Sequence, residues 1–247
     1  MTEEEPTSSG KRGAPDRKLN HLGRSKVLLA VNLHALVAEA RRAGVVIELV
    51  PQVGDFVATG EPLFAVYGTG SIDEERLRTL AAFGTERTME QDPMFSFRIL
   101  VDIALKALSP AINDPTTAVL AIDQLHRLLR RVGLRNLRDE EFVDAEGQVR
   151  FVFRTPNWED FVHLSCCEIR FCGAGNMQIA RRLRAMIVNL KETLPPVRFA
   201  ALDRELGLLD RMIEKLYVLP EDLALARLPD SQGLGGSAGT IDAQSKP

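Results

Sequence analysis

A charged stripe on an otherwise apolar helix constrains this chain more than any other feature of its sequence. The segment 90–117 reads EQDPMFSFRILVDIALKALSPAINDPTT, and at about 100° per residue its middle points apolar side chains in nearly every direction. Arg98, Asp102 and Lys106 are spaced by four and align in one polar stripe. A helix that is apolar on most of its circumference is normally buried, and buried charges need partners. The stripe is therefore predicted to be shielded from solvent, either as an internal ion-pair ladder or as the floor of a site.

The turn after this helix admits two interpretations. Asn113 or Asp114 can cap the next helix, and Pro115 suits its first position, so a capped corner explains the pattern. Alternatively, the corner folds back on the stripe and forms a polar pocket, in which Asp102 is a general base and Arg98 or Lys106 holds an anion. The candidate ligand-binding residues of that pocket are Glu90, Asp92, Arg98, Asp102, Lys106, Ser109, Asn113, Asp114 and Thr116.

Composition and turn residues divide the chain into four segments. Residues 1–22 are charged and nearly free of apolar side chains, which predicts a disordered tail. Residues 23–70 form a small β module with one helix, and residues 71–228 form a helical domain with a hairpin near 141–154. Residues 229–247 are rich in Gly and Ser, which predicts a flexible tail.

The periodicity of apolar residues predicts an α+β fold, mainly α, in which a small half-sandwich-like β module precedes a helical bundle. Strands are expected at KVLLAV, VVIELV and PLFAVY, and Asn32 and Gly44 delimit the helix that follows the first strand. Glu146 and Gly147 form the turn of the hairpin. Further helices are expected near 73–82, 93–108, 115–132, 157–171, 177–192, 198–217 and 221–227.

Charge and cysteine content exclude several classes of protein. The formal net charge is −3, whereas proteins that bind nucleic acid usually carry a basic excess, so no nucleic-acid partner is predicted. No run approaches the ~18 consecutive apolar residues of a membrane span, and the N-terminus lacks the apolar core of a secretory signal. Three cysteines, two of them adjacent, make a poor disulfide framework. These features predict a cytoplasmic protein with no transmembrane segment in this chain.

Two further motifs carry weaker signals. The sequence CGAGN precedes a helix that contains Arg181 and Arg182, so an anion at that helix N-terminus is physically reasonable; arginines on the outer face of a helix are, however, usually solvated. His163, Cys166 and Cys167 share one helix face, but a structural zinc site normally takes four ligands from separated pairs. We predict no metal and no cofactor.

Two long passages resemble a bacterial family called domain of unknown function 2254. They are VIELVPQVGDFVATGEPLFAVYG and a second passage, over 86–129, that contains the family-specific run LVDIALKALSPAINDPTTA; the phrases RTPNWEDFV and ARRLRAMIVNL fit the same family. The resemblance covers most of residues 22–228. It implies a relative of predicted membrane proteins, in which spanning helices precede a soluble region like this one. It implies no activity, and hence no catalytic residue.

The run VGDFVATGEPLFAV is also similar to one half of a biotinyl/lipoyl-type sandwich. The companion half and the lysine that carries the prosthetic group are not visible. The resemblance therefore implies a small β module without covalent biotin or lipoate.

Two functions from different classes are compatible with these observations. The leading hypothesis is a non-enzymatic interaction or ligand-sensing module whose partner is a second copy of itself or a membrane protein, and which the resemblance associates with a membrane. The alternative is an enzyme, or a binder of a small anionic or polar ligand, that uses the pocket around Arg98, Asp102 and Lys106.

Overall fold

The protein has an α+β fold with a helical majority, as the sequence predicts. A computed structural model describes residues 13–137 and 140–236. The described chain forms two compact units: residues 13–95 with 140–155, and residues 96–137 with 156–236. In the described residues no helix is both long and apolar enough to cross a membrane.

The first unit contains two sheets and two helices. The five-stranded sheet has the order β1–β5–β3–β8–β7, and the three-stranded sheet has the order β4–β2–β6. All strand pairs are antiparallel except β3 with β8. The elements are β1 (Arg17–Asn20), β2 (Lys26–Val31), α1 (Leu33–Ala43), β3 (Val46–Leu49), β4 (Phe56–Val57), β5 (Pro62–Tyr67), α2 (Glu74–Thr79), β6 (Ala81–Gly84), β7 (Glu140–Val143) and β8 (Val149–Phe153).

The core of this unit lies under α1 and the central strands. Ile47 of β3 is opposite Val66 on one side and Phe151 on the other, and all three are fully buried together with Leu36 of α1. Four consecutive residues of β5, from Leu63 to Val66, are buried, and this is why PLFAVY is a continuous apolar run in the sequence.

Three boundaries in this unit differ from the sequence expectation. Residues 17–20 lie in the segment 1–22 that was predicted to be disordered, but they form β1 because their backbone pairs with β5; residues 1–12 lie outside the described residues. The hairpin 141–154 was assigned to the helical domain, but β8 extends the sheet of the first unit through β3. The helix expected over 73–82 ends at Thr79, and Ala81–Gly84 instead pairs with β2.

The second unit consists of six helices whose directions alternate. They are α3 (Pro93–Ala107), whose first turn belongs to the first unit, α4 (Pro115–Gly133), α5 (Trp158–Gly173), α6 (Met177–Thr193), α7 (Phe199–Leu216) and α8 (Pro220–Ala226). A short 3-10 turn, Pro196–Arg198, precedes α7. The helices expected from periodicity within this unit are all present, with ends that shift by one or two residues.

Contacts near both ends of the helices fix these directions. The ring of Phe97 lies 4.9 Å from that of Phe161, and Leu108 packs at Gly173, so α3 and α5 run parallel. Arg182 bonds to Asp123 in the first half of both α6 and α4, and Leu194 just after α6 packs at Gly133 at the end of α4, so these two helices also run parallel. Trp158 at the start of α5 bonds to Arg198 just before α7, and Leu216 at the end of α7 lies near Gly175 just after α5, so α7 runs parallel to α5. The α3–α4, α5–α6 and α7–α8 connections consequently lie at one end of the unit, which we call the turn end.

Candidate functional site

The charged stripe of α3 is exposed, so its predicted shielding is wrong. The Asp102 side chain is 58% exposed, and Lys106 is also exposed. Arg98 donates to Asp102 one turn away, with 2.7 Å from Nε to Oδ1, and to Glu168 of α5. Arg98, Asp102 and Glu168 thus form a surface ion-pair network, and the buried residues of α3 lie outside the stripe; they are Phe97, Val101, Ala104 and Ala107.

The two acidic residues that precede α3 belong to the first unit. Glu90 is exposed. Asp92 is buried and accepts a hydrogen bond from the backbone N–H of Phe95 through Oδ1, at 3.1 Å. Its Oδ2 lies 3.9 Å from Nη1 of Arg87, and its Cγ is 2.9 Å from the position that a Cβ on Gly54 would occupy. Asp92 therefore holds the first turn of α3 by a hydrogen bond and packs closely against Gly54.

The corner between α3 and α4 has the geometry of a helix cap. Asp114 accepts from the backbone N–H of Thr117 at 3.1 Å and from its hydroxyl at 2.5 Å, and these bonds, the hydroxyl first, hold the pKa of the Asp114 carboxyl below its usual range. Asn113 takes a positive φ of 49°. The Ser109 hydroxyl donates to the carbonyl of Lys106 at 2.8 Å, and Thr116 is exposed.

The arginines of α6 are buried, contrary to the expectation of an outer face. Arg182 donates from Nε to Asp123 at 2.7 Å, and Arg184 pairs with Asp210 of α7. Arg181 is only 1% exposed. The first N–H groups of α6 are used by its own cap, since Asn176 accepts from the N–H of Gln178 at 3.0 Å. The weak anion site predicted at Arg181 and Arg182 therefore faces packed protein.

A histidine joins the contact between α4 and α6. His126 lies between Arg182, whose Nη2 is 3.2 Å from Nδ1, and Asn189, whose Oδ1 is 2.9 Å from Nε2. Arginine can only donate, so Nδ1 accepts and Nε2 carries the proton. Burial first, and the Arg182 charge second, lower the pKa of His126.

The cysteine-bearing helix α5 carries a buried carboxylate contact. Glu205 of α7 accepts from Nε of Arg170 at 3.3 Å and lies 3.5 Å from Nδ1 of His163. Cys166 is buried, and burial raises the pKa of its thiol. Within residues 13–137 and 140–236, no three His, Cys, Asp or Glu side chains are arranged to hold a metal ion.

The turn end carries a set of exposed apolar side chains that the sequence analysis missed. Leu216 lies 3.9 Å from the position of a Cβ on Gly175, so the ends of α5 and α7 are adjacent. Phe171 is 74% exposed at the end of α5, and Val218, just beyond α7, is 90% exposed. The exposed set at this end is Ile112, Phe171, Leu216, Val218, Leu219 and Leu234.

Exposed apolar side chains that gather at one end of a unit make that end a candidate contact site for proteins or membranes. The signal was available in the sequence, because Val218 and Leu219 interrupt a predicted connection where polar residues are usual. The corner residues Ser109, Asn113 and Thr116 lie at the same end of the unit, so the structure places them beside an apolar surface.

Comparisons with known proteins identify the family of this chain but do not indicate an activity. The model of a family described as "Predicted membrane protein (DUF2254)" matches residues 2–189. Similar curated proteins include uncharacterized protein Mb1321c of Mycobacterium bovis and uncharacterized proteins MT1328 and Rv1290c of Mycobacterium tuberculosis. Each is 29% identical over 207 residues, which cover 81% of this chain and 38% of the relative. The chain thus spans about two fifths of the length of these relatives. No solved structure matches.

Proposed function

Because the chain belongs to the DUF2254 family of predicted membrane proteins, we propose that it is a membrane-interaction module whose helical unit docks on a lipid surface through the turn end. The observation that carries this proposal is the set of exposed apolar side chains around Phe171 and Val218. Water is a poor environment for these side chains, and a lipid surface removes them from water.

The energy available from this contact is sufficient for reversible docking. Fully burying one side chain of the size of Val, Leu or Phe contributes about 1.5–3 kcal/mol. Two or three such side chains contribute roughly 3–9 kcal/mol before the cost of association. Binding is therefore expected to depend strongly on each member of the set.

A ligand-binding or enzymatic function has weaker support. Arg98 and Asp102 bind each other and Glu168 at the surface, and Asp114 caps α4. Each of these groups has a structural partner, so no geometric observation favours the predicted polar pocket. The pocket stays a prediction.

Vesicle co-sedimentation tests the proposal. The full chain is mixed with phosphatidylcholine vesicles, and the bound fraction is compared for Phe171→Asp and Val218→Asp. Leu134→Asp is the matched control, because Leu134 is also exposed (69%) but lies at the C-terminal end of α4, away from the turn end. Each turn-end variant is expected to weaken binding about tenfold or more, and the control is expected to bind like the unaltered chain.

Two results would overturn the proposal. One is a chain that does not sediment with vesicles at any lipid concentration. The other is a chain that binds vesicles equally well with and without Phe171→Asp. If light scattering instead shows a dimer that Phe171→Asp dissociates, the turn end is an interface between copies and the lipid proposal is wrong.

A further inference from the structure

The segment 228–236, which we call the strap, is held by backbone recognition. Arg181 of α6 donates from Nε to the carbonyl of Leu228 at 3.2 Å and from Nη1 to the carbonyl of Gly236 at 2.8 Å. Gln178, one turn earlier, donates from Nε2 to the carbonyl of Gly233 at 2.6 Å. Two side chains of one helix thus bind three main-chain carbonyls, which is how proteins bind peptide segments irrespective of most side chains.

The strap fits closely between α4 and α6. Its shape is set by Asp230, whose carboxylate accepts from the N–H groups of Gln232, Gly233 and Gly235 at 3.1, 3.0 and 2.7 Å. Gly233 has a φ of +67°, and a Cβ there would lie 2.5 Å from Cγ1 of Val119. The groove therefore accepts only a residue without a side chain at this point.

Arg181 differs from the neighbouring arginines of α6 in the groups that accept its hydrogen bonds. Arg182 pairs with Asp123 and Arg184 pairs with Asp210. Arg181 is almost fully buried, yet across the described chain no carboxylate pairs with it, and its acceptors are neutral carbonyls. A buried charge is costly unless a counter-charge pairs with it, and the neutral carbonyls give Arg181 hydrogen bonds but no counter-charge. The groove consequently favours an acidic ligand over the strap that occupies it.

The family model matches the residues of the groove but not those of the strap. It covers residues 2–189, which include Val119, Gln178, Arg181 and Arg182 and exclude the whole strap. We propose that the α4–α6 groove is a peptide-binding site, and that the strap occupies it in place of an extended segment of a partner protein that brings a carboxylate to Arg181.

The test uses the full chain and a peptide of defined sequence. The peptide LPDSQGLGG, labelled at its N-terminus, copies the strap and ends at Gly236, so a free C-terminal acid places a carboxylate at Nη1 of Arg181. The same peptide with a C-terminal amide lacks that charge. Gly233→Val displaces the strap of the chain by steric conflict and strain. Gly236→Ala is the matched control, because a Cβ there meets open space.

Fluorescence anisotropy gives the expected pattern. Gly233→Val binds the acid peptide about tenfold more tightly than do the unaltered chain and Gly236→Ala, in which the strap competes. It also prefers the acid over the amide about tenfold, and adding Arg181→Gln removes that preference. Asp230→Ala, which removes the acceptor of three N–H groups, opens the groove independently if Gly233→Val does not fold, as judged by circular dichroism.

The proposal is overturned by any of three results. In the first, neither opened variant binds the peptide. In the second, the opened and unaltered chains bind it equally well, and in the third, the opened chain has equal affinity for the acid and the amide. Each result contradicts a separate step, namely the groove, its occupation by the strap, and the role of the Arg181 charge.

Discussion

Two carboxylates of the helical unit are predicted to differ sharply in their contribution to stability. The side chain of Glu205 is only 4% exposed and accepts from Nε of Arg170 at 3.3 Å. Asp102 is mostly exposed, and its partner Arg98 has a second carboxylate in Glu168. Both changes, Glu205→Gln and Asp102→Asn, replace a carboxylate by an amide of the same shape.

The size of each effect follows from burial. Glu205→Gln leaves the guanidinium of Arg170, itself only 11% exposed, without its carboxylate, and losing one member of a buried pair costs about 3–5 kcal/mol. An exposed pair contributes about 0.2–1 kcal/mol. We therefore expect Glu205→Gln to lower the free energy of unfolding by about 3 kcal/mol or more, and Asp102→Asn by less than about 1 kcal/mol.

The single tryptophan provides the assay. Trp158 is buried at the start of α5, and its Nε1–H donates to the carbonyl of Arg198 at 2.9 Å, so its fluorescence reports on the helical unit that contains both carboxylates. Urea titrations of the three chains give the free energies of unfolding. Equal penalties, or a larger one for Asp102→Asn, would refute the assignment of a surface network on α3.

Two further predictions concern backbone space and pH. Gly54→Ala and Gly60→Ala both place a side chain at positive φ, but of the two only Gly54 faces a neighbour, Asp92. In thermal unfolding, Gly54→Ala should therefore lower the free energy of unfolding by at least about 1 kcal/mol more than Gly60→Ala. Equal losses of stability would contradict this contact. The pKa of His126 is lowered in the folded chain. The neutral histidine therefore contributes to the free energy of unfolding above the unfolded pKa of about 6.5, and this contribution is lost as the pH falls below that value. The loss of stability between about pH 7.5 and 5.5 should shrink in His126→Gln, and an unchanged loss would exclude this histidine as a cause.

Local signals in the sequence predicted helix boundaries well. Asn32 accepts from the N–H of Ala35 at 3.1 Å, and Gly44 ends α1 with a φ of +65°. Asp114 caps α4, and Pro115 begins it. These features depend on residues within one turn of each other, so the sequence contains all the information that determines them.

Long-range packing limited the prediction of the site. The apolar circumference of α3 indicated burial on all sides, but composition does not state how many neighbours a helix has, and one face of α3 stays at the surface. The reverse error occurred on α6. Its arginines are buried because α4, α7 and the strap surround them. The sequence of α6 alone does not predict those partners.

The same limit explains the hairpin. β8 pairs with β3 across about 100 residues of sequence, in a parallel register that aligns Phe151 with Ile47. The alternation of apolar residues predicted the strands, but it does not determine which sheet they join. The turn end was missed for a related reason, since its apolar residues come from the three helix connections and the strap, which are distant in the sequence and share one end of the unit only because of the helix directions.

The most direct test of membrane docking uses a cysteine that the chain already has at the turn end. Cys172 is exposed beside Phe171, whereas Cys166 is buried, so in a Cys167→Ser chain an environment-sensitive fluorophore attaches to Cys172. Docking predicts a blue shift of its emission when phosphatidylcholine vesicles are added, and no shift for the same fluorophore on Leu134→Cys in a chain that also carries Cys167→Ser and Cys172→Ser. An unshifted emission at Cys172 in chains that sediment with the vesicles would contradict docking through the turn end.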